Sequence, residues 1–375
     1  MSLRTLERAS DGGYSTRMDV VTIALGGLDA SRARDDGLRV VLNYGEHGRE
    51  LLPVDIAIAL LETFADGEDA VVALARGGAN EEALRRTLRA TTFVVVPMEN
   101  ERGRALVEDG DLCERKNGRG VDPNRNWAVN WGVKEKDYDA KEEYPGTAPF
   151  SEPESTMLKS LIEEFKPHAV VNWHSGMSAL FTPYDHVARM PTGTGAEAML
   201  DFIKKIDRAH CANACVLGSG GQGVGYLAHG TAADYIYDVM KVPVVYTWEV
   251  YGDLEAPYED CYRAFNPTTK EAHEKLVRDW VGAPITLVSM LPGHPDININ
   301  LSHGGENTPV VMNDASIASR RAYLADASPL DGGYARMALT FASVAACAVF
   351  SLRRRRMRRA QSTSPGSSTK RASVV

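Results

Sequence analysis

Residues 38–64 read LRVVLN, then YGEHGRE, then LLPVDIAIALLETF. The first block is a short apolar run of the kind that forms a buried strand, and the last is long and apolar enough for a helix. The polar heptapeptide between them is the turn from one to the other. The same alternation continues outward. Residues 92–97 (TFVVVP), 169–173 (AVVNW) and 242–248 (VPVVYTW) read as further strands, and residues 153–165, 195–212 and 268–281 read as helices. Strands that alternate with helices predict a layered α/β fold.

Composition is consistent with that reading. A chain of 375 residues with 44% hydrophobic content can bury a large core, which excludes wholesale disorder and a disulfide miniprotein. Five cysteines (113, 211, 215, 261 and 347) are too few and too irregular for a cysteine-based zinc module, and leave the redox compartment open. The net charge of −8 is unevenly spread, because residues 353–375 hold eight of the 42 bases and none of the 50 acids. The body before them is therefore strongly acidic and a poor partner for nucleic acid.

The ends predict a membrane anchor. Residues 337–352 (MALTFASVAACAVFSL) carry no charge and are followed at once by Arg353 to Arg356, Arg358 and Arg359. That pattern predicts a transmembrane helix over 335–352 and a basic, Ser-rich cytoplasmic tail over 353–375, with a linker or stalk over 291–334. The positive-inside rule then puts the acidic body on the lumenal or extracellular side, a topology that needs an export signal. Residues 1–16 are polar and contain no such signal, so they are expected to be an incomplete start lying outside a domain over 17–290.

Four clusters of residues carry chemistry. His47 and Glu50, three apart on a turn that enters a helix, let an imidazole and a carboxylate converge on one cation, and ligands of this type suit Zn²⁺. Arg115, Asn124 and Arg125 lie in two loop segments and are the donors that hold a carboxylate. His174 ends an apolar strand. Glu249 sits inside another, where burial raises a carboxyl pKa and leaves it either structurally paired or poised as a general base.

Taken in order, these residues resemble the zinc metallocarboxypeptidases of the carboxypeptidase A type, the M14 peptidases. His47-x-x-Glu50, 123 intervening residues and His174 match the ligand set, and Asp122-Pro123-Asn124-Arg125-Asn126-Trp127 resembles the family's DxNRNW block. The segment from Tyr144-Pro145-Gly146 to Ser151-Glu152-Pro153-Glu154, and that from Gly230-Thr231 to Asp234 and Tyr237, resemble two more of its blocks. The resemblance covers roughly residues 20–285 and implies a three-layer α/β/α fold with a central mixed sheet. It further implies that His47, Glu50 and His174 bind one zinc ion, that Glu249 is the general base, and that Arg115 stabilises the oxyanion. Asn124 and Arg125 would grip the terminal carboxylate of a peptide or protein, and Asp122 would orient His47. Tyr226 would cap the substrate, Arg49 would contact the upstream peptide and Ala233 would floor the side-chain pocket. Asp185, eleven residues after His174, resembles an acid of the family's basic-specific branch and implies a preference for C-terminal Lys or Arg. Only 46 residues precede His47, fewer than the family's usual N-terminal part, which again suggests a start further upstream. A related zinc amidohydrolase and an inactive peptide-binding homologue remain as alternatives.

Overall fold

The computed structural model describes residues 1–26, 37–78, 80–257 and 259–299. Strands β1 (Ser2–Ala9), β2 (Ser15–Ala24), β3 (Leu38–Tyr44), β4 (Thr91–Val96), β5 (Ala169–His174), β6 (Met177–Thr182), β7 (Val216–Ser219) and β8 (Val244–Tyr251) form one sheet in the order β1-β2-β4-β3-β5-β8-β6-β7. Its centre is parallel, with β3 beside both β4 and β5, and β8 beside β5. Antiparallel pairings of β1 with β2, β2 with β4 and β6 with β8 make the sheet mixed.

The principal helices are α1 (Leu51–Asp66), α2 (Pro153–Phe165), α3 (Thr194–Ile206), α4 (Ala232–Asp238) and α5 (Lys270–Trp280). Each of the four predicted strands and four predicted helices is present, with shifts of a few residues at their ends. The exception is the end of the helix expected over 195–212, where α3 stops at Ile206 and a π-helical turn, Asp207–Cys211, follows.

Side chains on a strand alternate between faces, and that period decides where the site lies. Val41 of β3, Val94 and Val96 of β4, Val170 of β5 and Val245 of β8 share one core with α2 and α4. Two and four residues further along their strands, Asn172, His174, Thr247 and Glu249 therefore point to the same face. The register pairs His174 of β5 directly with Glu249 of β8. On the opposite face Phe93 meets Phe64 of α1, and Trp173 packs edge-on against both Trp248 and Trp280 of α5. Both faces of the central strands are thus covered, as a parallel sheet requires.

Residues 1–16, expected outside the domain, belong to the sheet. Ser2–Ala9 pairs with Ser15–Thr22 along its whole length. The strand is exposed at nearly every position, so no apolar periodicity marks it. Two disulfides, Cys113–Cys261 and Cys211–Cys215, settle a pairing that the cysteine count left open. The expected transmembrane helix, the tail and most of the expected stalk lie outside the described residues. Among the described residues no helix is long and apolar enough to cross a membrane.

Candidate active site

The site sits at the C-terminal ends of β3, β5 and β8, where the crevice of an open parallel sheet holds its ligands. The turn after β3 presents His47, with Glu50 just before α1, and β5 ends on His174. Three side chains meet there. His47 Nδ1 lies 2.7 Å from Glu50 Oε1, His174 Nδ1 lies 3.0 Å from Glu50 Oε2, and the two Nδ1 atoms are 3.1 Å apart. All three side chains are buried. Two imidazole nitrogens this close, with a carboxylate between them, are a donor set that suits a zinc ion.

Each imidazole has a second carboxylate behind it. His47 Nε2 is 3.2 Å from Asp122 Oδ1, and His174 Nε2 is 3.1 Å from Glu46 Oε2. The Asp122 contact fixes the His47 ring and its tautomer, leaving Nδ1 free to bind, whereas Glu46 stands beside His174 Nε2 as a charge neighbour. Glu46 also lies within range of a metal shared with the two histidines. It faces the outer nitrogen of His174, whereas Glu50 faces both inner nitrogens. Burial alone would raise Glu50, but His47 and His174 outweigh it and hold the carboxyl well below its usual range. Asp122 is likewise buried, yet Arg115 and His47 hold it well below its usual range. Burial works against a charged His174, but Glu50 and Glu46 raise it well above the usual histidine value.

Beside the donors opens a cleft lined by His47, His174, Arg115, Asn124, Arg125 and Glu249. Burial and the neighbouring Glu50 carboxylate push Glu249 up to about 7, and its buried Oε2 has no hydrogen-bond partner. Arg115 Nε donates to Asp122 Oδ2 at 2.8 Å, and its Nη1 lies 3.7 Å from Glu50. Asn124 Oδ1 accepts from Ala232 N at 2.9 Å, tying the loop to the start of α4. The loop that carries Asn124 and Arg125 is braced by its neighbour Asn126, whose amide reaches Pro145 O, Ala148 O and Ser151 Oγ. Asn117 similarly donates to Glu152 and Glu154. The DPNRNW block and the 144–154 segment are therefore two halves of one scaffold.

Two of the remaining expected residues sit as follows. Tyr226 lines the cleft and is 38% exposed, so it has room to move. Asp185 lines the cleft as well, and burial together with nearby Asp234 pushes its carboxyl up to about 7. A methyl group on Gly220 would overlap Asp185 Oδ1, so glycine there makes room for the acid.

Two residues lie elsewhere than expected. Ala233 is not at the floor of the cleft but in the core with Trp127, Ile236 and Val245, because the helix that begins after Thr231 turns it inward. Thr231, two residues earlier, lines the cleft in its place. Arg49 is already engaged, with Glu142 at 2.7 Å, Cys113 O at 3.1 Å and the Phe265 ring 4.1 Å below its guanidinium. It is not among the residues that line the cleft. Glu46, Thr231 and Thr247 are the site residues that sequence reasoning missed. Thr247, two residues before Glu249 on the same strand face, carried a readable signal.

A family model described as zinc carboxypeptidase, Peptidase M14, matches residues 17–280. The chain belongs to the M14 zinc carboxypeptidase family. Within that family, zinc carboxypeptidase A 1 of Anopheles gambiae is 25% identical over 228 residues, which is 58% of this chain and 50% of that protein. A metallocarboxypeptidase A-like protein of Trichophyton verrucosum is 25% identical over 225 residues, 56% of this chain and 50% of its own length. The chain thus spans about half the length of the curated relatives it matches. Among solved structures, carboxypeptidase A of Helicoverpa armigera superposes with a TM-score of 0.56 at 20% identity, covering 77% of this chain and 69% of that one. Bovine thrombin-activatable fibrinolysis inhibitor, solved with a tick carboxypeptidase inhibitor, gives 0.58 at 18% identity, covering 78% and 90%. At such identities these structures speak for the fold.

Proposed function

We propose that the chain is a zinc-dependent metallocarboxypeptidase that removes the C-terminal residue of peptides or proteins. The observation that carries this is the convergence, in one cleft, of a buried His47–Glu50–His174 donor set, an unpartnered Glu249 carboxylate and the side chains of Arg115, Asn124 and Arg125. His47 Nδ1, Glu50 and His174 Nδ1 would hold the zinc ion, which when bound supplies Lewis acidity and makes water a better nucleophile. Glu249 takes a proton from the attacking water and returns it to the leaving amine. Arg115, anchored on Asp122, donates to the oxygen on which charge develops. Asn124 and Arg125 hold the substrate's terminal carboxylate and so restrict attack to the last peptide bond. Tyr226 swings over the bound residue and excludes water.

Asp185 sets the side-chain preference in this proposal. Its carboxyl is buried beside Asp234, which already accepts from Asp185 N, His186 N and His186 Nδ1. A substrate Lys or Arg entering the cleft would bring Asp185 the cation it lacks. Two further parts of the proposal concern location: residues 335–352 anchor the protein in a membrane, and the catalytic domain lies on the lumenal or extracellular side. The two disulfides support that side, since such bonds persist in oxidising compartments.

Glu249→Gln tests the mechanism. The variant should bind one zinc ion per chain as the parent does and lose about 10²–10⁴-fold in kcat, the usual worth of a general acid–base group. A variant that keeps most of its turnover would remove Glu249 from the reaction.

A further inference from the structure

The guanidinium assigned to the substrate carboxylate already holds a carboxylate of the protein itself. Arg125 Nη2 donates to Glu143 Oε1 at 2.5 Å, and Nη1 donates to Asn124 O at 2.9 Å. Asp122 Oδ2 stands 3.9 Å from Nη1. Glu143 comes from the end of a short helix, Ala140–Glu143, and its side chain is 21% exposed against 7% for Arg125. It therefore approaches the buried arginine from the solvent side.

We propose that Glu143 is an internal competitor for the substrate's terminal carboxylate and weakens the grip of Arg125 on free-acid substrates. The inference rests on the carboxypeptidase reading of the cleft. Binding becomes an exchange in which an incoming carboxylate must displace Glu143 from a charge-assisted hydrogen bond before it gains one of its own. The wall that Glu143 would turn toward offers two buried polar atoms without partners, Tyr138 Oη and His229 Nδ1. Arg125 and Glu143 share a small depression with Glu135, Asp137 and His229, and His229 Nε2 is already 2.8 Å from Glu135 Oε1. Displaced, Glu143 meets the acids Glu135 and Asp137 there beside those two atoms, or moves out into water. Glu143 is thus a specificity-determining residue that acts on carboxylate affinity and on the preference for an acid over an amide.

The test uses the zinc-loaded full chain and its Glu143→Gln and Glu143→Ser variants. Binding of 3-phenylpropionate, with 3-phenylpropanamide as the uncharged control, is measured by calorimetry. Both variants should bind the acid about tenfold more tightly than the parent and the amide equally, the scale of one charge-assisted hydrogen bond. With a free-acid peptide the gain should appear in KM rather than in kcat. Unchanged or weaker binding of the acid in both variants would overturn the proposal and make Glu143 a brace for Arg125. Should the parent hydrolyse no peptide, the carboxypeptidase reading fails, but the acid-against-amide comparison still decides what Glu143 does.

Discussion

At the scale of single residues, burial does most of the work. Asp185 is a half-buried acid with another acid beside it, so its ionised form is costly until a cation arrives. Asp185→Asn should lower the ratio of kcat/KM for Lys-ending over Phe-ending peptides by about ten- to a hundredfold, the range of a hydrogen bond to a charged group. An unchanged ratio would take Asp185 out of substrate selection. His210 shows the opposite case. Its Nδ1 lies 2.6 Å from Asp279 O and its Nε2 2.9 Å from Thr286 Oγ1, and burial lowers its pKa to about 4. The unfolded chain takes up a proton on this ring near pH 6.5, while the native state resists until about pH 4. Stability is therefore full above pH 6.5 and is lost as pH falls toward 4, by roughly 3 kcal/mol. In His210→Gln, which does not titrate, the drop in Tm between pH 7 and pH 5 should shrink; an identical drop would mean that other groups cause it.

At the scale of elements, loops hold the chemistry and the fold holds the loops. The loop that carries Arg115 is fastened by Cys113–Cys261 and by the bond from Gly48 N to Arg115 O at 3.1 Å. The disulfide joins residues 148 apart, so it restricts a long stretch of the unfolded chain. Replacing both cysteines by serine should cost about 2–5 kcal/mol and lower kcat more than it raises KM, because the role proposed for Arg115 is on the developing charge. Thermal unfolding and steady-state rates measure the two effects, and a double variant as stable and active as the parent would refute the role given to the bond. The elements themselves differed in how legible they were. The strands at the centre of the sheet, such as Thr91–Val96, are buried on both faces and read as apolar runs. β1 lies at an edge with both faces wet, so SLRTLERA carries no alternation to find. The spacing of His47 and Glu50, the strand-end place of His174 and the place of Glu249 inside an apolar strand singled out those four residues. Spacing does not encode the direction in which a side chain leaves the backbone, which is why Ala233 turned out to be core and Arg49 already paired. Glu46 and Glu143 were illegible for another reason, since each acts through a partner distant in sequence.

At the scale of the whole molecule, the sheet makes the site possible. Parallel β3, β5 and β8 bring residues 47, 174 and 249 to one edge; the two-residue period turns 174 and 249 to one face, and the turn after β3 adds His47. No local segment could do this. The fold, the donor set and the two guanidinium groups all bear on one claim, that the cleft cuts the last peptide bond of a free-acid chain with the help of a zinc ion. The most direct test compares a short peptide ending in a free carboxylate with the same peptide ending in an amide. Both are incubated with the full chain after zinc loading, after chelation and after zinc is restored, and the released amino acids are identified. The expected result is stepwise release of single residues from the free acid only, abolished by the chelator and recovered with zinc. Equal cleavage of the amide, cutting at internal bonds, or no hydrolysis by folded, zinc-loaded protein would contradict the claim.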